Sequence, residues 1–271
     1  MIFDWLRVLS GGSGRPAKVP TTVFITHAKA GSTWLDRIFR DLFGRLVAPR
    51  GDSAAAATGH DLSKFVFPAG RIYSAMFLSR EELEAHPELA HAGRFVVLRD
   101  ARDTLVSHYF SLKVSHSLDD RGEIERQRTV LNTLSKEEGL LYCLNRMRKL
   151  SERQLAWWQS GELVYRYEDL LRNDVPLLTY LFVNKLRLPV SPSRVEEAVI
   201  ANRFEARFGR RLGAVDVNSH GRQGAPGNWR EHFTPAVAEK FVEIFGETLI
   251  AGGYEPNHRW VKNVEEPVEA A

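Results

Sequence analysis

The stretch Thr21-Thr22-Val23-Phe24-Ile25-Thr26-His27-Ala28-Lys29-Ala30-Gly31-Ser32-Thr33-Trp34-Leu35 changes its pattern at its midpoint. Its first six residues form a β-branched run of strand length, whereas Leu35, Ile38, Phe39 and Leu42 then recur at helical spacing up to Phe43. The order is strand, loop, helix. It returns at residues 94–99 (RFVVLR) followed by 104–112, and at residues 162–167 (ELVYRY) followed by a helix after Pro176. Repeated β-α units predict an α/β fold: a single domain with a mostly parallel central sheet flanked by helices. Residues 72–77 can supply a further strand. Ser151 with Gln154 three residues later reads as a capping box opening a helix that carries Trp157 and Trp158. Thr234-Pro235 reads as the start of a helix ending near Gly252.

The chain has 271 residues, 44% of them hydrophobic, enough for one large core. A flexible segment is expected over 1–20, the folded domain over 21–262 and a flexible tail over 263–271. With 37 basic and 34 acidic residues the formal charge is +3, a near balance that argues against nucleic acid as a partner. The single cysteine, Cys143, favours a reducing compartment and reads as a buried core residue; no Cys or His pair stands at zinc spacing, so no metal is expected. Residues 1–10 lack a signal-peptide pattern, and no run reaches the ~18 to 20 apolar residues of a membrane span. A cytoplasmic protein without stable membrane association is expected. The charged stretch 115–138 is either a mobile lid or a solvated helix, with the solvated reading favoured.

In open parallel sheets ligands gather at the carboxyl ends of the strands, which directs attention to the loops after Thr26, Arg99 and Tyr167. The loop His27 to Trp34 joins a strand to a helix N-terminus and combines small residues, two hydroxyls and a cation. Such a loop cradles an anion. The alternative is that Ser32 or Thr33 simply caps the helix while Lys29 is solvated. The nucleotide triphosphate pattern G-x-x-x-x-G-K-[ST] does not apply, because Lys29 precedes Gly31.

The sequence T-H-A-K-A-G-S-T-W-L resembles the 5′-phosphosulfate loop, commonly T-Y-P-K-S-G-T-T-W, of sulfotransferases that use PAPS (3′-phosphoadenosine-5′-phosphosulfate). Further motifs follow in the family's order. Arg99 with Ser107 eight residues on is similar to its 3′-phosphate motif; a pairing of Arg99 with Asp103 is the alternative there. Tyr165-Arg166-Tyr167-Glu168-Asp169 resembles the strand-ending Y-E-D segment, and Gly221 to Trp229 resembles the R-K-G-x-x-G-D-W loop. Gln223 and Asn228 replace the usual lysine and aspartate.

The resemblance implies a P-loop-like sulfotransferase architecture and a donor site made of Lys29, Ala30, Gly31, Ser32, Thr33, Trp34, Arg99, Ser107, Tyr167, Phe204, Arg222, Gln223 and Gly224. Tyr167 and Phe204 would meet the adenine, Arg99 and Arg222 the 3′-phosphate, and Lys29 the departing phosphate. It further implies sulfuryl transfer from PAPS, without a metal, to a hydroxyl or amine of a small-molecule or saccharide acceptor, releasing PAP (3′-phosphoadenosine-5′-phosphate). Trp157 and Trp158 read as structural. Where many relatives carry a basic histidine in K-T-H-L-P, this chain reads Arg71-Ile72-Tyr73-Ser74-Ala75-Met76. The base is therefore sought at Asp52, 23 residues after Lys29, or at His60, with His27 and His108 as further choices. An inactive PAP or PAPS binder of the same fold and a P-loop nucleotide kinase are the competing readings.

Overall fold

The structure is a computed structural model that describes residues 19–49, 66–117, 122–219 and 221–267. Four strands, β1 (Thr22–Ile25), β2 (Ile72–Met76), β3 (Gly93–Leu98) and β4 (Val164–Arg166), form one parallel sheet in the order β2-β1-β3-β4. Eleven α-helices are found among the described residues: α1 (Ser32–Phe43), α2 (Arg80–Glu84), α3 (Ala101–Phe110), α4 (Glu123–Thr133), α5 (Lys136–Asn145), α6 (Arg148–Trp158), α7 (Tyr167–Arg172), α8 (Asp174–Thr179), α9 (Pro192–Ala201), α10 (Phe204–Phe208) and α11 (Pro235–Ala251).

Alternate residues of the strands serve two apolar layers, as burial on both faces requires of a parallel sheet. Phe24, Phe95 and Val97 face α1 and α9, with the Phe24 and Phe95 rings stacked at 4.9 Å. Val23, Ile25, Val96 and Leu98 face the other way, against Tyr73 and Trp157. A third cluster joins α3, α5 and α11 through Leu105, Leu140, Phe241 and Phe245, and contains the buried Cys143. The chain runs from β1 outward to β2 and then crosses to β3 on the opposite side of β1. That switch point, at the carboxyl ends of β1 and β3, is where an open parallel sheet gathers its ligands.

The four expected strands and the helix from Pro235 are present. The capping box at Ser151 is not. Ser151 lies inside α6, where its hydroxyl donates to the Ile244 carbonyl at 2.5 Å, because packing against α11 engages it before a cap could form. The capping boxes are at Ser79/Glu82 and Ser135/Glu138. Within the charged stretch, α4 buries only Leu131, in keeping with the solvated helix. No helix among the described residues is long and apolar enough to cross a membrane.

Candidate active site

The loop after β1 is held in an uncommon backbone shape. Lys29 has φ 71° and Gly31 φ 80°, both left-handed, a conformation easy for glycine and costly for lysine. Gly31 is required twice over, since a Cβ there would stand 2.7 Å from Cε2 of Tyr167. α1 then begins with no side-chain cap and no acidic residue in its first turn, so Ser32 and Thr33 are not spent on capping the helix. The positive end of α1 is left at the switch point of the sheet.

Arg99 emerges from the end of β3, 8% exposed, and its Nη1 donates to the carbonyl of Lys29 at 3.0 Å. Its Nε is buried without a hydrogen-bond partner among the described residues, as is Nε1 of Trp34. Asp103 approaches Arg99 only to 3.8 Å and spends its oxygens on the backbone of Gly227 and Trp229. The expected alternative pairing is therefore loose. Ser107 lies half-buried two turns along α3.

Arg222 arrives from the opposite side on a loop organised by Arg210, which donates to the carbonyls of Ala214, Gly221 and Arg222 and lies over the Phe204 ring at 4.9 Å. The Arg222 guanidinium stacks 4.4 Å from the Phe110 centroid and donates to Gln223 and Asn228. Gly224 brings the two aromatic candidates together. Its carbonyl stands 3.5 Å from the Tyr167 hydroxyl, and a Cβ on it would lie 2.7 Å from Cδ2 of Phe204. The Tyr167 ring meets Trp34 edge-on at 6.2 Å and carries the Arg99 guanidinium at 5.1 Å.

Lys29, Arg99 and Arg222 thus converge. Burial, then Arg99, then Arg222 push the Lys29 amine down to about 8, and burial followed by Arg99 lowers Arg222. Cations crowded in this way, with buried donors left over, suit an anion carrying more than one phosphate.

No protein-family model matches the chain. Flavonol 3-sulfotransferase of Flaveria bidentis is 22% identical, over 86% of this chain and 83% of its own. The 3-alpha-hydroxysteroid sulfotransferase of Cavia porcellus is 22% identical over 87% and 85%. Sulfotransferase 1C2 of Homo sapiens is 21% identical over 84% and 83%. In fold, mouse sulfotransferase SULT7A1 complexed with PAP superposes with a TM-score of 0.61 at 18% identity, covering 91% of this chain and 88% of that one. Retinol dehydratase in complex with androsterone and PAP gives 0.52 at 14%, covering 86% and 82%. The chain is similar in sequence to sulfotransferases and shares their fold.

The base candidates divide sharply. Asp52 and His60 lie outside the described residues. His27 has both ring nitrogens engaged: its Nδ1 meets the Ala28 carbonyl at 2.8 Å while Nε2 accepts from Gln154 at 2.8 Å and from the Arg99 amide at 3.3 Å. Burial holds the ring neutral, with its pKa lowered to about 4. His108, half-buried on α3 beside Ser107, is lowered to about 4 by burial and then by the charge of Lys29, which places it within electrostatic reach of that lysine. At the expected histidine position, Ala75 has φ 60° next to a register shift between β1 and β2.

Arg210 and the loop-anchoring role of Asp103 were not legible in the sequence. Arg210 acts on carbonyls, which no side-chain pattern reveals, and Asp103 reads only as a neighbour one helical turn from Arg99. Trp157 is structural as expected, its Nε1 donating to the Leu78 carbonyl at 3.0 Å.

Proposed function

We propose that this protein is a sulfotransferase that moves the sulfuryl group of PAPS to a hydroxyl or amine of a small-molecule acceptor and releases PAP. The observation that carries the reading is the convergence of Lys29, Arg99 and Arg222 at the switch point of the sheet, beside the uncapped N-terminus of α1. The relatives named for flavonol and hydroxysteroid acceptors favour a small molecule over a saccharide.

In this scheme the 5′-phosphosulfate lies on residues 29–34 and the 3′-phosphate between Arg99, Ser107 and Arg222. Tyr167 and Phe204 flank the adenine, with Gly224 between them. The acceptor oxygen attacks sulfur as the bond from sulfur to the phosphate oxygen breaks, and the charge gathering on that phosphate is met by Lys29 and the helix N-terminus. The acceptor proton passes to a base.

The base is proposed among Asp52, His60 and His108. A neutral imidazole is the form that accepts a proton, and the negative charge of a bound donor would offset the Lys29 cation that lowers His108.

Incubation with sulfur-labelled PAPS and a panel of phenols, steroids, flavonols and amines tests the reading. Labelled acceptor is expected, and it should be lost in Lys29→Ala. Tight PAP binding without transfer to any acceptor would leave a binding protein of the same fold instead. Full activity in Lys29→Ala would discard the donor assignment.

A further inference from the structure

We propose that Asp103 is the positioning residue that joins the two halves of the 3′-phosphate site, an inference that rests on the donor reading above. Asp103 projects from α3, 2% exposed. Its Oδ2 accepts the amide of Gly227 at 2.6 Å and its Oδ1 the amide of Trp229 at 3.0 Å. The residue between them, Asn228, accepts the Arg222 guanidinium on Oδ1 and donates from Nδ2 to Glu231 at 2.8 Å. On its other side Oδ2 stands 3.8 Å from Nη2 of Arg99. One carboxylate therefore pins the backbone on both sides of the residue that holds Arg222, while leaning on the arginine at the end of β3.

A carboxylate beside a phosphate site is otherwise a liability, because its charge opposes the incoming anion. Two effects of opposite sign are thus attached to one side chain. If charge dominates, Asp103→Asn relieves repulsion and tightens PAP. If the latch dominates, the same change weakens PAP, because asparagine keeps one acceptor oxygen and turns an NH2 donor toward a backbone N–H. Two short, buried hydrogen bonds to one carboxylate favour the latch over a charge partly compensated by Arg99.

The test is calorimetric titration of the full chain with PAP and with AMP, which lacks the 3′-phosphate. Asp103→Asn is expected to weaken PAP on the order of 10- to 100-fold while moving AMP less than about 3-fold. In an Arg222→Ala background the same substitution should cost PAP far less, since coupled residues are not additive. PAP affinity in Asp103→Asn equal to or above wild type, or equal losses for PAP and AMP, overturns the latch. Wild-type protein that does not prefer PAP to AMP overturns the donor reading itself. Should Asp103→Asn lack a cooperative melt, Asn228→Ala carries the test, because it removes the Arg222 acceptor and leaves both Asp103 bonds in place. Loss of the PAP preference there supports the latch, and an unchanged preference overturns it.

Discussion

Arg99 donates from Nη1 to the carbonyl oxygen of Lys29 at 3.0 Å, so the end of β3 holds the loop on which the lysine stands. This fixes a left-handed residue that would otherwise relax, and it keeps two cations close together. On the proposed donor reading, Arg99 would serve the 5′ end of the donor through Lys29 and the 3′ end through its unpartnered Nε. Arg99→Ala is expected to weaken both PAP and AMP, with PAP losing at least about tenfold more, the worth of a charge-assisted contact of about 1.5 to 3 kcal/mol. Equal losses, measured by calorimetry, would confine Arg99 to the loop-holding role.

Lys29 makes the donor site sensitive to pH in a defined direction. Its pKa is lowered from 10.5 to about 8 by burial and then by Arg99 and Arg222, so between those values the unfolded chain binds the proton more firmly than the native one. The difference in bound protons is positive, and this group makes unfolding free energy rise as pH increases from about 8 toward 10.5. Donor binding runs the other way, because a phosphate prefers the charged amine. PAP affinity should fall as pH passes upward through about 8, and binding should take up protons from the buffer there. Titrations in two buffers of different ionisation enthalpy check this, and Lys29→Met should abolish the proton uptake.

A buried charge network is centred on Arg102 at the start of α3. Arg102, 2% exposed, pairs with Asp100 at 2.8 Å and with Glu255 at 2.5 Å, and lies against the edge-to-face pair Trp229 and Trp260, at 4.1 and 4.8 Å from their ring centroids. Arg102→Ala leaves a buried carboxylate without its partner and removes the cation packed against Trp229 and Trp260, so urea denaturation should show a loss of about 3 to 5 kcal/mol. Arg102→Met restores much of the volume without the charge. It should recover little of the loss if the ion pairs matter more than the packing.

The sheet was legible from short apolar runs followed by helical periodicity, most clearly at Thr22–Ile25 and α1. The phosphate loop was legible because Lys29, Gly31, Ser32 and Thr33 are contiguous. Contacts that join distant segments were not. Asp103 and Trp229 are 126 residues apart and meet through a backbone amide, which leaves no trace in side-chain identity. Ser151 shows the converse error. Its local pattern is that of a cap, yet Ile244 and Thr248 of α11 take its hydroxyl, and tertiary packing overrides the local signal.

The general base is separable by combining substitution with a pH profile. An alanine at the true base should reduce turnover by roughly 10²- to 10⁴-fold and leave PAP affinity nearly intact, since proton transfer is lost and donor binding is not. The three candidates also differ in where activity falls on acidification. The profile of kcat/KM reports the free enzyme, so a limb near 4 in wild type is expected for His108, whose pKa burial and Lys29 lower to about 4. An unperturbed imidazole at His60 would place that limb near ~6.5. An unperturbed carboxylate at Asp52 would place it near ~3.9, close to the limb for His108, so those two are told apart by their alanine variants. The kcat profile adds a second discriminator. A bound, negatively charged donor offsets the Lys29 cation, and the acid limb of kcat should therefore lie above that of kcat/KM if His108 takes the proton. Lys29→Met should shift the kcat/KM limb upward for the same reason wherever residual turnover is measurable. Wild-type turnover in His108→Ala removes it from consideration, and wild-type turnover in Asp52→Ala and His60→Ala as well would require a base outside all three.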